Sequence, residues 1–414
     1  MPYKIIDLFS GAGGLTEGFR NDEFEIVSHI ERDEAASETL KLRDCYHYLK
    51  KKGRINIYFQ FLSGEISKEE LFDKIPNEIL DKTINKEISP DSLKYLFESI
   101  DINLSDNQKI AGVIGGPPCQ AYSTIGRARN ASKKETDERI YLYKYYIEFL
   151  KHYKPQFFVF ENVKGLLSFK DTDGKLLFPK MKKEFEDIGY CLDYRIVNTQ
   201  DYEIPQARER IIIFGVQEEQ SSLINQFFEK LEELKTQPIS LEEALSDLPK
   251  IKSGEEKNVY FSNGNKYIRK HYRRHRNVPL TQNIARPNIS RDLKIYKQVV
   301  SAKEKGINLK YNELASELQT HKHTDKFLDR YKALSWGNPA HTVVAHIAKD
   351  GHHYIHPDKE QNRSITVREA ARIQGFPDDY YFETSRTAAF TQIGNAVPPI
   401  LSEKIAQIIE KLEF

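Results

Sequence analysis

Cysteine is scarce in this chain: only three occur in 414 residues, Cys45, Cys119 and Cys191, far apart and without metal-ligand spacing. That scarcity argues against a disulfide framework or a structural zinc site and fits a reducing compartment. Long apolar runs are also missing, and none reaches the roughly 20 residues of a membrane-spanning helix. The opening Met1-Pro2-Tyr3-Lys4 runs straight into Ile5-Ile6-Asp7-Leu8-Phe9, which reads as a first strand and not as a secretory leader. Overall charge of one sign is absent too, since 62 Lys and Arg face 61 Asp and Glu. Locally the balance fails. Between Lys257 and Arg291 there is no acidic residue, while Lys266, Arg269, Lys270, Arg273, Arg274, Arg276 and Arg286 gather there. Such a stretch is either a surface for a polyanion or a solvated basic face.

What is present is enough apolar residue, 39%, to fill a core, in a length that suits one large and one smaller domain. Lys4 to Phe9 predicts a strand ending in the glycine cluster Ser10-Gly11-Ala12-Gly13-Gly14. A helical stretch to Phe19 and a strand from Glu25 to Glu31 complete a βαβ unit. Ala111 to Gly115, Phe157 to Phe160 and Ile211 to Phe214 are continuous apolar runs, as expected of strands buried on both faces. The fold class is therefore α/β. Residues 48–108 read as a polar, mostly helical surface insertion, and the sequence from about 217 to 356 as helical, then basic, then irregular.

Several constellations carry chemistry. Glycines behind a first strand let a nucleoside approach the backbone, and an acid closing the second strand, here Glu31, can accept ribose hydroxyls. A plain βα turn explains the glycines equally well. In Gly116-Pro117-Pro118-Cys119-Gln120 the two prolines stiffen the turn and remove two N–H groups, presenting Cys119 at a strand end. A lone cysteine is otherwise most often a small buried hydrophobe. The following Thr124 to Asp137, with Arg127 and Arg129, reads as a basic loop beside that cysteine. Glu161 closes an apolar strand, where burial would raise its pKa and suit it to proton donation; helix capping is the plainer reading. Arg208 and Arg210, two apart before Ile211, are expected to point the same way, unless they form a surface ladder with Glu209. Thr366 and Glu369 form a capping-box pattern, and Gly394-Asn395 reads as a turn into a C-terminal helix.

In this order and spacing the blocks resemble the bacterial DNA cytosine-C5 methyltransferase family, over residues 3–216 and 363–414. Asp7 to Gly14 matches its first motif, Gly116 to Gln120 the nucleophile motif, Glu161-Asn162-Val163 the base-holding motif, and Gln206 to Arg210 the Gln-x-Arg-x-Arg motif. Arg363 to Pro377 matches the ninth motif and Gly394-Asn395 the tenth; the third is read at Gly64-Glu65-Ile66. The resemblance implies a Rossmann-like sheet that binds S-adenosyl-L-methionine and releases S-adenosyl-L-homocysteine. The catalytic domain would span 1–230, completed by 385–414, with an irregular target-recognition domain at 231–384. Cys119, Glu161, Arg210 and Arg208 would be catalytic. Phe9, Ser10, Gly11, Gly13, Gly14, Glu31, Pro118, Leu142, Asn395 and Ala396 would hold the cofactor, with no metal. Arg127, Arg129, Arg273 and Arg274 are the candidate contacts to duplex DNA.

The resemblance further implies a cytoplasmic bacterial monomer, one half of a restriction-modification pair whose endonuclease acts separately. Two alternatives share the fold. A tRNA cytosine methyltransferase has a compact recognition region and a Cys-Phe-Thr signature, both missing here. A catalytically dead DNA-binding regulator lacks the cysteine or glutamate, and both are present here.

Overall fold

A computed structural model describes residues 2–104, 108–118, 122, 137–320 and 325–414. Its centre is a seven-stranded sheet in the order β3-β2-β1-β4-β5-β8-β6. The strands are β1 (Tyr3–Leu8), β2 (Phe24–Glu31), β3 (Thr83–Asn85), β4 (Ile110–Gly115), β5 (Phe157–Asn162), β6 (Tyr190–Asn198) and β8 (Glu209–Gln217). β1 to β5 pair in parallel, and β8 runs antiparallel to both β5 and β6.

Alternation along the strands builds two cores from one sheet. Phe158, Phe160, Ile211 and Ile213 face a layer that includes the helices Leu142–Tyr153 and Leu177–Glu186. Phe157, Val159, Ile212 and Phe214 face the helices Ser222–Glu233 and Pro399–Ile409. The helix Pro399–Ile409 thus packs on the same face of the sheet as Ile5 of β1. Strand order reverses between β1 and β4, so the crevice at their carboxyl ends is where an open α/β sheet binds ligands.

Three expectations need correction. Residues 48–108 are not merely a surface insertion, because β3 lies within them and pairs with β2 from His29 to Glu31. Gly64 to Ile66 lies in the turn between the helices Asn56–Leu62 and Lys68–Phe72, not at a strand end. And Gly394-Asn395 closes the helix Arg386–Asn395; the next helix begins at Pro399.

Downstream of about residue 234 regular structure thins, and ion pairs occupy much of the interior. Arg372 bridges Asp378 (2.6 and 2.9 Å) and Asp247 (2.5 Å), all three fully buried. Arg363 grips Glu369 through two 2.7 Å bonds, and Thr366 caps the helix Val367–Ile373 in the predicted box. Apolar side chains from 241–248, 340–373 and 389–396 pack in one cluster with Ala12, so the segment joins the loop behind β1 through a shared core. A two-stranded ladder joins them too: β7 (Gln206–Ala207) pairs in parallel with β9 (Ala340–His341). Among the described residues no helix is long and apolar enough to cross a membrane.

Candidate active site

Four strand ends converge at the sheet's carboxyl edge. β1 delivers Phe9 and the glycine cluster. Phe9 sits at φ 56°, a conformation that a bulky residue adopts only when its surroundings impose it. Ser10 is tied down by Ser10 Oγ donating to the Asp7 carbonyl (2.9 Å) and Ser10 N–H donating to the Ile30 carbonyl (3.1 Å). Gly13 and Gly14 are packing glycines. A side chain at Gly13 would strike Leu40 and Tyr380, and one at Gly14 would fall 2.1 Å from the Val397 carbonyl oxygen, beside Ala396. Gly11 is different: at φ +54° it has open space where its side chain would be.

Glu31, at the end of β2, faces that space. One of its oxygens accepts from Gly11 N–H (2.7 Å) and the other from Asp33 N–H (2.7 Å). Burial raises its carboxyl above the ordinary value, and the Asp33 and Gly11 amides pull it partly back. Beside it β3 ends at Asn85, whose side-chain amide donates to the Glu31 carbonyl (3.0 Å). The residues next to Glu31 on that side are therefore Lys86, Glu87 and the buried Ile88, and Glu87 pairs with Arg32 at 2.8 Å. Gly64 to Ile66, in the turn between two helices, do not reach this edge. A strand of three residues on the sheet edge left too little periodicity for the sequence to reveal it.

β4 and β5 supply the second half. Gly116 is so close to Glu161 that a side chain there would lie 3.0 Å from the carboxylate. Asn162, still within β5, donates to the Pro117 carbonyl (3.2 Å) and anchors the Pro-Pro turn. Glu161 is nearly fully buried, and its Oε1 lies 3.0 Å from Arg210 Nε. Burial raises the Glu161 carboxyl, and Arg210, then Arg208, moderate the rise. Pro118 is half-buried after this turn, and half-buried Leu142 opens the helix that leads back to β5. Asn395 is exposed and Ala396 buried. Cys119, Arg127 and Arg129 lie outside the described residues.

Arg208 and Arg210 do not point the same way. The strand breaks between them, with Arg208 standing between β7 and β8. Arg210 turns to Glu161, whereas buried Arg208 donates to the carbonyls of Val343 (2.7 Å), Gly394 and Ala396 (3.2 Å each). Arg273 and Arg274 are each held by an ion pair within the chain. Arg273 donates to Asp247 and Ser262 and lies 3.8 Å over the Tyr260 ring; Arg274 pairs with Glu403 at 2.5 Å. Their neighbour His275 meets Tyr46 at 2.9 Å, ten residues along the helix from Ala36, or roughly 15 Å below the Glu31 edge.

The chain belongs to the C-5 cytosine-specific DNA methylase family, whose model matches residues 3–69 and 88–411. It is a DNA cytosine-C5 methyltransferase, with DNA as substrate and a methyl donor of the S-adenosylmethionine type. The unmatched gap, 70–87, holds β3. The type II methyltransferase M.Bpa9945I of Bacillus paralicheniformis is 38% identical over 98% of both chains. M.DdeI of Desulfomicrobium norvegicum is 29% identical over 98% of this chain and 88% of its own. The solved S. pombe Dnmt2 methyltransferase has the same fold, with a TM-score of 0.51 at 17% identity, covering 100% of both chains.

Proposed function

We propose that the chain methylates C5 of a cytosine flipped out of duplex DNA, with Cys119 as nucleophile and Glu161 as proton donor. The observation that carries this reading is the buried, Arg210-paired Glu161 beside the anchored turn that leads directly to Cys119. C5 of cytosine is a weak nucleophile. Addition of the Cys119 thiolate at C6 converts the 5,6 double bond into an enamine and makes C5 electron-rich. A protonated Glu161 donating to N3 removes the need for negative charge on the ring. Arg210 orients Glu161 and is the candidate to hold O2, while Arg208 acts indirectly by fixing the chain around the pocket. Once C5 carries the methyl group, loss of the C5 proton to a base and expulsion of the Cys119 thiolate, with the N3 proton returning to Glu161, restore the aromatic ring and the starting state of both residues.

S-adenosyl-L-methionine supplies an electrophilic methyl group when bound. Open space above Gly11, the carboxylate of Glu31 and the strained Phe9 fit a nucleoside there. Ser10, Gly13 and Gly14 shape the loop, and Pro118, Leu142, Asn395 and Ala396 would complete the walls. No stacked base can enter such a site, so the target must leave the helix, and Arg127 and Arg129 are proposed to close over it. Residues 1–230 with 385–414 are proposed as the catalytic part and 231–384 as the reader of sequence. The names of the relatives support a type II modification enzyme; we further propose that it works as a cytoplasmic monomer with a separate endonuclease.

The test is covalent trapping. Fluorine at C5 cannot leave as a cation, so with 5-fluorocytosine in the target the reaction halts after methyl transfer. Protein and DNA should stay joined in a denaturing gel only when S-adenosyl-L-methionine is present. Cys119→Ser should abolish the band, whereas Cys45→Ser and Cys191→Ser should keep it; Cys45 is buried and its thiol is pushed up. A band that survives Cys119→Ser removes that residue from the mechanism. A band formed on tRNA but not on DNA would favour the alternative substrate.

A further inference from the structure

Inside the molecule, five residues from four separate segments form a closed ring of hydrogen bonds. Val343 N–H donates to Gln206 Oε1 at 2.7 Å. Gln206 Nε2 donates to Gln374 Oε1 at 2.6 Å, and also to the Ile373 carbonyl at 3.2 Å. Gln374 Nε2 donates to the Ala396 carbonyl at 2.5 Å. Arg208 closes the ring, donating to the same Ala396 carbonyl at 3.2 Å and to the Val343 carbonyl at 2.7 Å. Gln206, Gln374 and Val343 are wholly buried, Arg208 is 2% exposed and Ala396 7%.

The direction of each bond is dictated by its neighbours. A backbone N–H at Val343 requires that Gln206 present oxygen, which turns its amide nitrogen to Gln374. Gln374 must then present oxygen in turn, which aims its nitrogen at the carbonyl of Ala396. Flipping Gln206 breaks three bonds and flipping Gln374 two, all in a place water does not reach, and an unsatisfied buried polar group is costly. The ring therefore moves as a unit or not at all.

The ring touches three places in the fold. Ala396 and Val397 press on Gly14 in the loop behind β1. Val343 follows β9, the strand through which the recognition segment pairs with β7. Gln206 and Arg208 lead directly into β8, which carries Arg210 to Glu161.

We infer that Gln206 and Gln374 are positioning residues that couple the cofactor side of the enzyme to its DNA side, so that occupancy of one strengthens binding at the other. This rests on the reading of the Gly11 crevice as the cofactor site. Because coupling is reciprocal, one direction suffices to measure it. Bisulfite sequencing of plasmid DNA from expressing cells first identifies the target. S-adenosyl-L-homocysteine is then titrated calorimetrically into the full chain, alone and with saturating target duplex. In the wild type the duplex should tighten product binding about five-fold or more. In Gln374→Met, and in a Gln206→Met/Gln374→Met variant that removes both facing amides, the ratio should fall toward one while cooperative melting persists. A merely structural role would weaken both titrations alike and leave the ratio intact. An unchanged ratio in a folded variant, or a wild-type ratio of one, overturns the inference. Failure of the wild type to bind product or duplex at all would overturn the underlying reading, and the inference with it.

Discussion

Glu161 concentrates the chemistry at the level of single residues. Its carboxyl is raised by burial against the opposing pull of Arg210, so it retains a proton to higher pH than an exposed glutamate does. As donor it must be protonated, so kcat should fall as pH rises through that raised value. A requirement for the Cys119 thiolate acts in the opposite sense and limits the rate at low pH. Glu161→Gln should bind DNA and cofactor, lose about 10²–10⁴-fold in kcat, and lack the alkaline limb. The check is a kcat–pH profile of both proteins at saturating substrates; a variant with wild-type turnover, or with the same alkaline limb, assigns the proton elsewhere. Glu161 was legible in the sequence because a carboxylate ending an apolar strand is conspicuous. The separate fates of Arg208 and Arg210 were not, because the strand break between them depends on where β9 docks.

Among elements, the loop behind β1 and the buried ion pairs of the second half behave oppositely to substitution. Gly14→Ala adds one carbon 2.1 Å from the Val397 carbonyl. Overpacking of this kind costs about 1–3 kcal/mol, or roughly five- to 150-fold in the Kd for S-adenosyl-L-homocysteine if the loop absorbs it. A wild-type Kd would mean that the late segment yields. The helix Val367–Ile373 is instead sensitive to pH. Burial alone would raise Glu369, but Arg363 and His356 bring it down to about 2. A depressed carboxyl contributes stability that is complete above the ordinary glutamate range and lost as pH falls toward the folded value. Melting temperature should therefore drop between pH 5 and 3 more steeply in the wild type than in Glu369→Gln, with parallel curves contradicting this pairing. The strands of the central sheet were readable because they are unbroken apolar runs. β6, an edge strand with the half-exposed pattern Tyr-Cys-Leu-Asp-Tyr-Arg, and β3, three residues long, lack that signal.

The whole molecule changes the meaning of its basic stretch. From composition, Arg273 and Arg274 were natural partners for phosphates; in the fold Arg273 pairs with Asp247 over the Tyr260 ring and half-buried Arg274 pairs with Glu403. Replacing both by alanine should lower the melting temperature and leave the slope of log K against log salt unchanged. A slope shallower by about one per residue would return them to the DNA backbone. No periodicity announces such a use, because the acids that neutralise them come from residues 247 and 403, on either side of the stretch in sequence.

That the wall facing Gly14 is built from Ala396 and Val397, and that Gly18 is pressed against Ser402, has a consequence in time. At ~5–20 residues per second the glycine loop leaves the ribosome well before the residues that form its opposing wall. A nascent chain thus carries the first motif without a closed crevice around it. The crevice closes only when the helix Pro399–Ile409 packs back against the face of the sheet that carries Ile5.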